Sequence, residues 1–142
     1  MVKVTGGCLC GAIRYEAEGE PMAHAVCFCT DCQKANGGGP TYALIMPRAG
    51  FRVTKGEPGS YSIRADSGGN VGRFFCPNCG TMLFSKPASI AHVVPIRAGT
   101  LDDPSIYRPN LQIFTASAPP WMHVDPNLLS FERNPPRPAT QT

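Results

Sequence analysis

Cys76-Pro77-Asn78-Cys79-Gly80, set against Cys8-Leu9-Cys10, decides how this chain folds. Thiols only one or two residues apart do not readily close disulfides with one another, but they converge well on one soft cation. A tetrahedral zinc takes four ligands at roughly 2.3 Å from sulfur, and these two segments supply four. In the later segment Pro77 fixes one φ angle and Gly80 tolerates a positive one. That is the chemistry of a tight knuckle whose backbone N–H groups face the Cys76 sulfur. In the earlier segment, a strand would turn Cys8 and Cys10 to one face and Leu9 to the other. A metal joining segments so distant in sequence staples a small domain, and its binding energy becomes folding energy.

Cys27-Phe28-Cys29-Thr30-Asp31-Cys32 brings three more thiols. Two completions are open. His24, His92 or His123 adds a fourth ligand and makes a second structural site, or the fourth position stays free, as in catalytic zinc sites. Three thiolates around a divalent ion leave a negative centre, which activates water less than a zinc held by neutral imidazoles. A soft substrate thiol, with a free pKa near roughly 8.5, is the better match. The expectation is two zinc ions per chain, one structural on Cys8, Cys10, Cys76 and Cys79, and one catalytic on Cys27, Cys29 and Cys32.

Around the second cluster, Thr30 or Asp31 is expected to cap a short helix that runs through Gln33 to Ala35 and ends at Asn36-Gly37. Cys32 then lies at a helix N-terminus, where the dipole favours a thiolate. Gly37-Gly38-Gly39 reads as a flexible turn that allows close substrate approach. Lys34, Arg64, Arg73 and Arg97 are the cations available to offset substrate carboxylates, with Arg73 first for its place beside the Cys76 knuckle.

The remainder predicts one mainly β domain with little helix. Gly and Pro each number 15 in 142 residues, with no collagen-like period, which favours a turn-rich β domain. Ile13, Tyr15 and Ala17 alternate with charged neighbours, the period of a half-buried strand. Further strand candidates are 41–46, 51–54, 71–75, 92–97 and 111–115. Pro95 points to an edge or a bulge, and Gly68-Gly69-Asn70 to a hairpin turn. The domain spans residues 1–133, and 134–142 reads as a disordered tail. The chain opens without the apolar run of a signal peptide and contains no membrane-length apolar stretch, so a reducing, cytoplasmic setting is expected. Seven thiolates and two zinc ions bring the formal +3 to neutral. With basic residues scattered, no nucleic-acid partner and no membrane partner is expected. No deaminase signature, Cys2His2 finger, phosphate loop or dinucleotide fingerprint is present.

The chain resembles the glutathione-dependent formaldehyde-activating enzyme family. The likeness runs through Gly6-Gly-Cys-Leu-Cys-Gly11, Cys27 to Gln33, Gly56-Glu-Pro58, Arg73 to Gly80, Arg97 to Pro104 and Pro120-Trp121. It implies a "β-tent" fold, the two zinc sites above, and a carbon–sulfur lyase type of activity. The reaction implied is condensation of formaldehyde with glutathione to S-hydroxymethylglutathione, so a small thiol and an aldehyde are the expected partners. Phe28 and Gln112 stand where the family pattern has histidines; neither is a ligand in the resemblance, and both are candidates for the pocket wall. The alternative is a non-catalytic zinc module that recognises a protein partner.

Overall fold

In a computed structural model, which describes residues 2–65 and 68–136, the alternation at Ile13, Tyr15 and Ala17 is a buried strand face. Tyr15 and Ala17 lie on β2 (Arg14–Gly19), which pairs antiparallel with β1 (Val2–Gly7) and with β5 (Phe51–Lys55). These three strands form one small sheet. A second sheet holds eight strands: β3 (Ala23–Cys27), β4 (Thr41–Pro47), β6 (Gly59–Arg64), β7 (Asn70–Phe75), β8 (Met82–Pro87), β9 (Val93–Arg97), β10 (Leu111–Ile113) and β11 (Leu129–Ser130). Their spatial order is β11-β10-β3-β4-β9-β8-β7-β6. Strand β10 runs parallel to β3 and β11; the other neighbours are antiparallel.

The large sheet has two apolar faces with different fates. Leu44, Met46, Leu83, Phe84, Val94 and Ile96 pack on Val4, Ile13, Tyr15 and Ala17 of the small sheet and make the main core. The Phe51 ring lies 4.6 Å from Phe84, and Phe84 stacks on Phe74 at 4.8 Å between centroids. Burying each such side chain contributes about 1.5–3 kcal/mol. Residues one position off in register, such as Ala43 and Ile45, turn to the opposite face and line a cavity.

Several sequence expectations change here. Cys8 and Cys10 are not on a strand: β1 ends at Gly7, and both cysteines belong to the turn that follows. Pro95 is on an interior strand, where it faces Ile45 of β4. Strand β9 meets β8 through the single pair Phe84↔Ile96, so the ladder beside Pro95 is short and a missing N–H is tolerated. Strand β10 stops at Ile113, because Phe114 adopts φ 57° and turns the chain out of extended conformation. The hairpin at 68–70 is as read: Ala65 N donates to Gly69 O and Gly68 N to Ala65 O, joining β6 to β7. Of the tail, Asn134, Pro135 and Pro136 lie against the cavity, and 137–142 fall outside the described residues. Among the described residues no helix is long and apolar enough to cross a membrane.

Candidate metal centres and their cavity

The first cysteine group is built from two turns, in each of which the leading cysteine's sulfur accepts a backbone N–H. Gly11 N donates to Cys8 O, and Ile13 N donates to the Cys8 Sγ at 3.2 Å. Gly80 N donates to Cys76 O, and Cys79 N to the Cys76 Sγ at 3.4 Å. Gly11 at φ 80° and Gly80 at φ 79° close the two turns, a conformation that costs L-residues about 1–2 kcal/mol. The four sulfurs of Cys8, Cys10, Cys76 and Cys79 all lie within 4.8 Å of one another. Cys8 to Cys10 is 3.7 Å and Cys10 to Cys76 is 3.8 Å. Ligands at roughly 2.3 Å from a tetrahedral zinc stand roughly 3.8 Å apart, so the spacing fits that ion. All seven cysteines are free thiols.

Polar donors surround this group. Asn78 Nδ2 donates to Cys10 Sγ at 3.2 Å. The Thr81 hydroxyl accepts from Leu9 N at 3.2 Å, which leaves its proton for Cys79 Sγ, also 3.2 Å away. That hydroxyl, with backbone donors, lowers the Cys79 thiol to about 5. Cys8, Cys76 and Cys79 also pack with the main hydrophobic core, so this group is part of the scaffold.

The second group gathers at a strand end and a helix start. Cys27 is the last residue of β3, and Cys32 lies in the first turn of α1 (Thr30–Asn36). The expected Thr30 or Asp31 cap is replaced by Cys29, whose Sγ accepts from Cys32 N at 3.3 Å. Gly37 at φ 74° ends the helix as anticipated. Gln33 Nε2 donates to Phe28 O at 2.7 Å and Ser117 O at 3.0 Å, which fixes the helix against the chain on both sides. The sulfurs of Cys27, Cys29 and Cys32 lie within 4.8 Å of one another, and among the described residues no histidine joins them. His24 instead accepts from Arg108 N at its Nδ1 and packs on Tyr107, while His92 and His123 are exposed.

A buried polar chain supports this group. Arg97, 7% exposed, donates to Asn36 Oδ1. Asn36 Nδ2 then faces Thr41 Oγ1 at 3.1 Å and donates to it, leaving the Thr41 proton for Cys32. Cys32 is lowered to about 2, first by hydrogen bonds from Cys27 and Cys29 and further by Thr41 and the positive charge of Arg73. The same thiol contacts and burial push Cys27 up. One thiolate is therefore easy and three are not, which is the demand a divalent cation would meet. Asn36 and Thr41 were not singled out from sequence; Thr41 stands opposite Cys27 in the β3–β4 ladder, a register that no local signal reveals.

The three cysteines open into a cavity of about 400 Å3, which Arg73 and Arg97 also line. Lys34 and Gly37 to Gly39 do not reach it. They border a separate hollow of about 180 Å3 with Trp121 and Met122, so the glycines give no approach to the cysteines. Arg64 lines neither space. Phe28 and Gln112 are not wall residues either. Phe28, 1% exposed, packs with Val26 and Met122. Gln112, 2% exposed, donates to Asp125 O and Ser130 Oγ and accepts from Asp125 N, tying β10 to the segment before β11.

A family model described as "Glutathione-dependent formaldehyde-activating enzyme" matches residues 3–117, a span that contains both cysteine groups. A crystal structure of a Rhodobacter sphaeroides protein is similar in fold, with TM-score 0.57 and 20% sequence identity. The alignment covers 69% of this chain and 87% of that one.

Proposed function

Because this chain belongs to the glutathione-dependent formaldehyde-activating enzyme family, we propose that it joins a small thiol to an aldehyde such as formaldehyde at Cys27, Cys29 and Cys32, a reaction of carbon–sulfur lyase type. Cys8, Cys10, Cys76 and Cys79 would hold a structural zinc, and Cys27, Cys29 and Cys32 would hold a second one facing the cavity that admits the substrate. The observation that carries this reading is the grouping of three sulfurs, without a histidine, on the wall of a cavity. Zinc bound there supplies a Lewis acid that lowers the pKa of an arriving thiol.

The chain's own residues then do the rest. The Thr41–Asn36–Arg97 chain fixes Cys32, and Arg73 and Arg97 offset the negative charge that accumulates when a thiol loses its proton. The thiol sulfur forms a bond to the carbonyl carbon, the C=O double bond becomes single, and the proton lost from sulfur ends on that oxygen. No redox partner is needed, and the reverse step cleaves the adduct. Cobalt-substituted protein tests the reading, since its absorption reports the ligands of each ion. Titration with 2-mercaptoethanol, a thiol small enough to enter freely, should intensify the sulfur-to-metal charge-transfer bands. A spectrum indifferent to that thiol refutes an open position.

A further inference from the structure

The cavity beside the three cysteines has one continuous floor. Ala25, Ala43, Ile45, Val71, Pro95 and Ile113 come from β3, β4, β7, β9 and β10 and occupy alternate positions on one face of the large sheet. About 400 Å3 lies above it, inside the roughly 300–1,000 Å3 of small-molecule sites. The charged side chains among its described lining residues are Arg73, Arg97 and Asp31. Both arginines interact electrostatically with the cysteine group, and Arg97 is already engaged by Asn36.

Charge decides what else fits. Three cysteine thiolates and a divalent ion leave one negative charge, and a substrate thiolate makes two. Arg73 and Arg97 match those two, so among the described lining residues no cation is left for a carboxylate elsewhere on the substrate, and Asp31 opposes one. Glutathione carries two carboxylates and an ammonium; Asp31 can answer the ammonium, but both carboxylates lose hydration without a free cation among the described lining residues.

We propose that the thiol this site selects has an uncharged, apolar body, an alkyl or aryl thiol of medium length, in preference to a charged tripeptide. This rests on the thiol-binding reading of Cys27, Cys29 and Cys32. The test is a series of n-alkanethiols from ethanethiol to hexanethiol, with glutathione beside it, titrated into cobalt-loaded full-length protein. Apparent affinity should rise about fourfold per methylene, or about two-hundredfold across the series, and hexanethiol should bind far more tightly than glutathione. A flat series, or glutathione binding as tightly as hexanethiol, overturns the apolar preference and leaves the thiol-binding reading standing. If no thiol of the set alters the spectrum, both fall together.

Discussion

Thr41 is 5% exposed and stands opposite Cys27 on the neighbouring strand, with its hydroxyl between Asn36 and Cys32. Valine has nearly the same shape but no proton to give. Thr41→Val is therefore expected to keep the fold and weaken the second metal site about tenfold to a hundredfold, the usual effect of removing a group behind a ligand. Competition with a colorimetric chelator measures this, and an unchanged site would place Thr41 in packing alone. Residues like this explain part of what sequence withholds. The seven cysteines are legible because ligand spacing is local, whereas Asn36, Thr41 and Arg97 meet only after three separate elements converge. Phe28 and Gln112 show the converse: both were expected in the pocket wall, and both serve packing instead, as an apolar anchor and a backbone clamp.

At the scale of elements, the α1 helix and the two cysteine turns differ in what a lost sulfur costs. Cys29 is both a cysteine of the second group and the cap of α1. Serine is also a good cap, so Cys29→Ser should preserve the helix, with stability within about 1 kcal/mol, and abolish thiol response. Cys76→Ser should unfold the chain. A structural zinc contributes about 10–16 kcal/mol in small peptides, as much as the 5–15 kcal/mol that typically holds a whole domain. Thermal melts of the two variants settle the comparison: equal damage would make both groups scaffold. Sequence patterns found these elements where they were periodic or punctuated, as at Tyr15 and Ala17, Gly37 and Gly68. They missed the cap because the usual capping rule names oxygen acceptors, and a sulfur accepts here. They also gave Cys8 and Cys10 to a strand, although the hydrogen bonds from Gly11 and Ile13 close them into a turn.

At the scale of the molecule, the two cysteine groups divide the labour of the large sheet's faces. The four-sulfur group joins the core and links the turn after β1 to the turn between β7 and β8, so it couples the small sheet to the large one. The three-sulfur group looks onto the opposite face, where alternate residues of the same strands leave a cavity rather than a second core. That division was not legible in sequence, because which face of β4 or β9 receives the small sheet depends on register between distant strands. It yields the central claim: one group is complete and one has room for a substrate. Zinc-edge X-ray absorption on the doubly loaded protein tests it directly by counting sulfur neighbours. One site of four and one of three average about 3.5 sulfurs per zinc at rest, and a saturating thiol should raise this to about 4 with zinc–sulfur distances near roughly 2.3 Å. A resting value already at four, or a count that thiol leaves unchanged, would contradict the account.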